Sequence, residues 1–217
     1  HSGLRNKGVI TTITNTGTIE AGTNYGLYND TSGTITTLSN SGTISAGTNY
    51  AIVNTGSIET LTNTKTIKAT NGTVDISNQG SITTFNNLQG KSGSNPVTFI
   101  KSLPTNYNVI VNSGSDDYGQ IEFSSFSGTT TFGVDKDRST LADVDTTYSL
   151  VLKGLSRSDI VSGFSGPLGV SGSLRKNWTL ENSPGELEEW DLNLTVIDIT
   201  PDTNTSVTSS VKPNVIL

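Results

Sequence analysis

The stretch Gly8-Val9-Ile10-Thr11-Thr12-Ile13-Thr14-Asn15 is met again as Gly33-Thr34-Ile35-Thr36-Thr37-Leu38-Ser39-Asn40. A third copy is Gly56-Ser57-Ile58-Glu59-Thr60-Leu61-Thr62-Asn63, and a fourth runs from Gly80 to Asn87. The first Ile of each copy stands at 10, 35, 58 and 82, which is a period of 23 to 25 residues. A unit that short holds too few apolar side chains to enclose a core of its own. Repetition at this period therefore predicts units stacked on one another, each burying its neighbour's apolar face.

A second phrase follows the first. Thr16-Gly17-Thr18-Ile19-Glu20-Ala21-Gly22-Thr23-Asn24-Tyr25-Gly26-Leu27-Tyr28-Asn29 matches Ser41-Gly42-Thr43-Ile44-Ser45-Ala46-Gly47-Thr48-Asn49-Tyr50-Ala51-Ile52-Val53-Asn54. The next version, from Thr64 to Asn78, is looser and carries one extra residue. Written as columns, the apolar residues fall into register: Ile10/Ile35/Ile58/Ile82, Ile13/Leu38/Leu61/Phe85, Ile19/Ile44/Ile67 and Leu27/Ile52/Ile76. Short β-branched runs between Gly and Asn turns read as strands, and no segment sustains a 3.6-residue period. Two Asn columns, Asn15/Asn40/Asn63 and Asn29/Asn54/Asn78, lie beside the Gly turns. Asn tolerates turn conformations, and stacked Asn side chains bridge one layer to the next. The fold class expected is all-β: a right-handed parallel β-helix, a solenoid with coils of about 23–25 residues, closed by a C-terminal β cap. The handedness follows the general preference of parallel crossovers.

Composition agrees with a β coil and narrows the function classes. Only 31% of the 217 residues are hydrophobic and 6% aromatic, too few for a conventional globule. Charged residues are only 15%, which separates the chain from highly charged disordered sequences. A net charge of −6 argues against nucleic acid and against a basic membrane-surface contact. The chain has no Cys, so disulfides, thiolate metal sites and Cys nucleophiles are excluded. No signal peptide is visible and the chain begins inside a repeat, which reads as a piece of a longer protein.

The repeat fades after Asn87. Gly90-Lys91-Ser92-Gly93-Ser94-Asn95-Pro96 is a turn-rich junction. Beyond it, strands are expected at 97–100, 107–111, 120–123, 129–134 and 148–153, then around Trp178 and from Trp190 to Ile197. The organisation expected is repeat coils over 1–94, a β-structured cap over 95–199 and a Pro/Thr/Ser-rich linker or tail over 200–217. A cap is needed because an open β edge invites aggregation.

The residues that carry chemistry are few. The single His is at position 1, so Ser-His-Asp and Cys-His sites are implausible, as are metal sites built from His or Cys. Carboxylate groups suited to cleaving a glycosidic bond would have to come from Asp116/Asp117, Asp135/Asp137, Asp143/Asp145 or Glu186/Glu188/Glu189. Each lies near Gly, Ser or Pro and reads as a solvated loop. Asp135-x-Asp137 has a Ca²⁺-ligand spacing but lacks the Gly and terminal Glu of an EF-hand loop. Sequons at Asn29, Asn71, Asn177, Asn193 and Asn204 arise by chance in a chain this rich in Asn and Thr. The reading assigns no catalytic, cofactor-binding or metal residue, no cofactor, and no enzymatic activity.

The Asn-x-Gly-x-Ile coils with Thr23-Asn24-Tyr25-Gly26-Leu27-Tyr28-Asn29 resemble the passenger domain of a Gram-negative autotransporter (type V secretion). Tyr107-Asn108-Val109-Ile110-Val111, Asp117-Tyr118-Gly119-Gln120-Ile121, Asn177-Trp178-Thr179-Leu180 and Glu189-Trp190-Asp191-Leu192 resemble the C-terminal, folding-associated part of such passengers. The resemblance spans residues 6 to about 198. It implies a cell-surface β-helical stalk or adhesin, held in the outer membrane by a β-barrel that would follow the linker. Its implied partners are a cell-surface, matrix or self-associating protein, or a glycan. Two other readings stand beside it. Thr34, Thr36, Thr43, Thr48 and their equivalents would form flat hydroxyl ladders for attachment; regular Thr columns would also suit ice binding, although Glu59 interrupts the column of Thr11, Thr36 and Thr83, and Glu20, Ser45 and Lys68 share another position. A polysaccharide-binding or -cleaving β-helix, such as a phage tail spike, is the other.

Overall fold

Each of the first three coils forms three short strands, separated by turns most of which contain Gly. The computed structural model describes residues 2–72, 74–91, 95–114 and 116–200. The first coil is β1 (Leu4–Asn6), β2 (Val9–Asn15) and β3 (Thr18–Ala21). The second is β4 (Leu27–Asn29), β5 (Thr34–Asn40) and β6 (Thr43–Ala46), and the third is β7 (Ile52–Asn54), β8 (Ser57–Asn63) and β9 (Thr66–Ala69). Equivalent strands of successive coils pair in parallel, giving a β-solenoid. The columns read from the sequence are the pairing register: Ile10 lies beside Ile35, Ile35 beside Ile58 and Ile58 beside Ile82.

The long strands bend in the middle. Pairing skips Thr11, Thr36, Glu59 and Thr83, so each strand reads in–out–out–in rather than as a strict alternation. Ile35, Leu38, Ile58 and Leu61 all point inward and have no exposed surface. Each such side chain stabilises the fold by roughly 1.5–3 kcal/mol relative to remaining in water. The turns stack as closely as the strands: a Cβ on Gly56 would lie 2.1 Å from the carbonyl oxygen of Gly33. Only glycine leaves room for the next coil there.

Asn residues join the layers. Asn15 donates to the side-chain oxygen of Asn40 at 2.8 Å, Asn40 to Asn63 at 2.8 Å and Asn63 to Asn87 at 3.2 Å. A second ladder runs Asn6, Asn29, Asn54 and Asn78, with contacts of 2.8, 2.8 and 2.7 Å. These side chains are buried and also donate to backbone carbonyls of the following strand, as Asn54 does to Ser81 at 2.9 Å.

Parallel stacking runs on through the junction near residue 95. β10 (Ile76–Asn78) and β11 (Ser81–Asn87) are followed by β12 (Val97–Ser102), β13 (Asn106–Val109), β14 (Ile121–Ser127) and β15 (Thr130–Val134). β12 pairs with β10 and β14, and β13 with β11 and β15, all in parallel. Among the described residues these later coils show no counterpart of β9, so two walls instead of three fill the interior there. Larger side chains do so: Phe85, Phe99, Tyr107, Phe123 and Phe132 stack with centroids 5.3–6.3 Å apart.

The architecture changes at β16 (Thr146–Lys153). It pairs in parallel with β14, while β17 (Ile160–Ser162), entered through a 3₁₀ turn at Arg157–Asp159, closes the opposite sheet. β18 (Ser165–Ser171), β19 (Leu174–Asn182) and β20 (Glu189–Asp198) then extend the first sheet in antiparallel fashion, in the order β16-β20-β19-β18. Trp178 packs on Phe132 at 5.6 Å. Trp190 is 1% exposed, lies 5.8 Å from Phe164, and donates from Nε1 to the Leu155 carbonyl at 2.7 Å. These two residues anchor the antiparallel strands over the last coils.

Asn54→Ala is expected to destabilise the protein by about 3 kcal/mol, because it orphans the buried donor of Asn29 and the acceptors of Asn78 and Ser81. Urea unfolding measures this, with the exposed turn variant Asn24→Ala changing stability by less than about 0.5 kcal/mol as the control.

Candidate functional site

The outer face of the seven-stranded sheet is a regular polar surface. One column, Thr12, Thr37, Thr60, Thr84, Asn106, Thr131 and Ser162, stays in register across the sheet. The next is Thr14, Ser39, Thr62, Asn86, Asn108 and Gly133. This second column bonds to itself: Asn86 donates to Thr62 Oγ1 at 3.2 Å and Asn108 to Asn86 Oδ1 at 2.9 Å. The bend in each strand leaves Glu59, like Thr11 and Thr36, outside the paired Thr60 column. The other Thr positions singled out from the sequence belong to different places. Thr34 starts β5, Thr36 sits at its bend, Thr43 starts β6, and Thr48 lies on the following turn, where its hydroxyl donates to the Thr23 carbonyl.

That turn makes an aromatic corner. Tyr25 and Tyr50, one coil apart, stack with centroids 6.4 Å apart and planes 18° from parallel. Tyr28 adjoins Tyr25 at 5.4 Å, and the Arg5 guanidinium lies 5.0 Å from the Tyr28 ring while pairing with Asp30 at 2.6 Å. Thr48, Asn49, Tyr50 and Asn71 border a shallow cleft of about 270 Å³ on the same corner.

Five of the nine carboxylates singled out as possible acid–base or metal groups are engaged, each with a different partner, and the other four are exposed. Asp117 accepts from the Asn112 amide. Asp135 pairs with Arg138 at 2.8 Å, whereas Asp137 is exposed. Asp143 pairs with Lys176 at 2.6 Å, and Asp145 accepts the Val196 N–H at 2.7 Å. Glu189 pairs with Lys153 at 3.2 Å, while Asp116, Glu186 and Glu188 are exposed. Asp135 departs from the solvated-loop expectation: it is only 8% exposed, held under its own turn by Arg138. Among the described residues, no group of three or more His, Cys, Asp or Glu side chains converges as a metal would require. Of the sequons, Asn29 is fully buried in the ladder, and Asn204 lies outside the described residues.

Two polar residues that the sequence reading passed over close the edge left by the missing third strand. The Gln89 side chain accepts from Ile67 N–H at 2.7 Å and donates to the Ile67 carbonyl at 3.1 Å. It therefore imitates a neighbouring strand on β9. The Asp75 carboxylate accepts from Ala69 N–H at 2.8 Å, and from the N–H and hydroxyl of Thr98 at 2.9 Å each. Asp75 occupies the position held by Gly26 and Ala51 in earlier coils, and that break in the column was its one signal in the sequence. Burial pushes its carboxyl above the usual carboxylate range, and the donated hydrogen bonds only partly offset this.

Searched against family models, curated proteins and solved structures, the chain matches none of them.

The raised Asp75 value sets a sign. The folded protein holds this proton more tightly than the unfolded chain, so the contribution is fully present below the ordinary value of 3.8 and lost as pH rises through the raised one. The urea midpoint of the wild type, relative to Asp75→Asn, is expected to fall as pH rises above 3.8. A difference between the two that rises with pH would contradict the assignment.

Proposed function

We propose that this chain is a non-catalytic, β-helical surface stalk or adhesin fragment, of the kind found in autotransporter passengers. In this reading it acts at the cell surface of a Gram-negative bacterium and contacts a protein or glycan on another cell or matrix. The observation that carries the reading is the pairing of two constructions in one chain. A polar-faced solenoid keeps its Ile columns in register while its outward positions vary among Thr, Ser, Glu, Lys and Asn. An antiparallel sheet, anchored by Trp178 and Trp190, then covers its C-terminal end. The engaged carboxylates support a binding role over a hydrolytic one, and the stacked Tyr25–Tyr50 corner offers aromatic surface for attachment.

Display of the chain on a non-adherent cell tests the attachment role. Gain of cell–cell aggregation, or of binding to host cells or matrix, is expected, and Tyr25→Ala/Tyr50→Ala is expected to reduce it. No gain in any of these assays would sink the proposal. The suggested folding role of the C-terminal part has its own test. Trp190→Ala is expected to slow refolding by nearly as much as it destabilises, while Leu27→Ala at the other end mainly speeds unfolding. Stopped-flow refolding separates the two.

Ice binding is a second reading, favoured by the unbroken Thr12–Thr37–Thr60–Thr84 column. Thermal hysteresis decides it, and a solution that freezes like a control protein eliminates it.

A further inference from the structure

Alternation along β19 places Lys176, Trp178 and Leu180 on one buried face, so a lysine occupies a core position of the antiparallel sheet. Burying an ammonium is unfavourable unless it is paired and hydrogen-bonded. Lys176 Nζ donates to the Leu141 carbonyl at 3.1 Å and to Asp143 at 2.6 Å, using two of its three donors. Its side chain is 7% exposed, whereas that of Asp143 is 75% exposed. A buried charge therefore ends at a carboxylate that faces solvent.

Both groups line a cleft of about 400 Å³ between the loop after β15 and the terminal β18–β19 hairpin. That size falls within the roughly 300–1,000 Å³ of small-molecule sites. One wall is apolar, made by Leu141, Leu168 and Val170. The β18 register shifts between Pro167 and Gly169, leaving Leu168 as the bulged residue on that wall. Gly169, at φ +110°, adds no side chain, and a Cβ there would meet nothing within 4 Å. The cleft thus combines an apolar surface with a carboxylate and an ammonium that, among the described residues, leave one oxygen and one N–H without a partner.

We propose that this cleft binds a single pyranose ring, one hydroxyl donating to Asp143, its neighbour accepting from Lys176, and a C–H face resting on Leu168 and Val170. The ion pair is neutral as a unit, so it offers no net attraction to an anion, and a phosphate or carboxylate would meet Asp143 directly. Vicinal hydroxyls match it because each is at once donor and acceptor. The proposal deepens the attachment reading by naming a ligand class; it rests on that reading for its biological role only, since sugar binding is measured apart from cell adhesion.

The test is a titration of the ¹⁵N-labelled full chain, followed by amide chemical shifts, with methyl glycosides of glucose, galactose, mannose and N-acetylglucosamine. Sodium phosphate and sodium acetate serve as the anion arm. At least one glycoside is expected to cause saturable shifts centred on Leu141, Gly169, Val170 and Lys176, in the millimolar range typical of single small ligands. Asp143→Asn keeps an acceptor for Lys176 but removes the charge, and it is expected to weaken that binding at least about tenfold while the unliganded amide spectrum shows the fold retained. The proposal is overturned if no glycoside shifts these amides, if shifts map elsewhere, if Asp143→Asn binds as the wild type does, or if the anions bind here instead. In those cases the Lys176–Asp143 pair is a structural clip only, and the attachment reading still stands or falls on the display assay.

Discussion

Everything in this molecule depends on stacking one chain turn directly on another in parallel register. Parallel pairing satisfies the backbone within the strands, but the Asn that ends a strand before a turn, as at Asn15, Asn29, Asn40 and Asn54, is buried between layers and must find its partners inside the protein. The Asn ladders resolve this. The side-chain NH2 of Asn40, for example, donates both to Asn63 Oδ1 of the next layer and to the Thr66 backbone carbonyl. A slipped register would leave a row of buried amides unpaired, so the ladders specify alignment as well as contributing stability. Glycines such as Gly56 make the same demand in steric form.

A solenoid never closes on itself, so its edges need separate treatment. Where the three-stranded sheet stops at β9, Gln89 and Asp75 supply side-chain hydrogen bonds in place of a strand. Dropping that strand changes the filling of the interior, and Ile and Leu give way to Phe and Tyr as the walls fall from three to two. At the far end, antiparallel strands take over and the sheet finishes on β18, which carries Pro167. Proline cannot donate to a further strand, so it suits an edge position.

The division between scaffold and surface bears on the proposed attachment role. The interior is specified column by column, while the outside is polar and varied. Features suited to holding a partner lie away from the flat strand faces: the tyrosine corner on a repeated turn, and the Lys176–Asp143 cleft at the antiparallel end. Loops and ends tolerate such additions because the stacked strands hold their own register.

The sequence by itself determined the period, the inward Ile and Leu columns, both Asn ladders and the strands around both Trp residues. Repetition made these legible: in a stack, residues one period apart must be neighbours, so a linear pattern is already a contact list. Only the tertiary structure decided that parallel coiling continues past residue 95, that each long strand bends at Thr11 and its equivalents, and that Gln89 and Asp75 close an edge. It also joined Lys176 to Asp143 across 33 residues that contain no repeat. These contacts form where the period fails, and without a period no spacing in the chain says which residues meet. Their partners are selected by burial and hydrogen-bond satisfaction in the folded molecule alone.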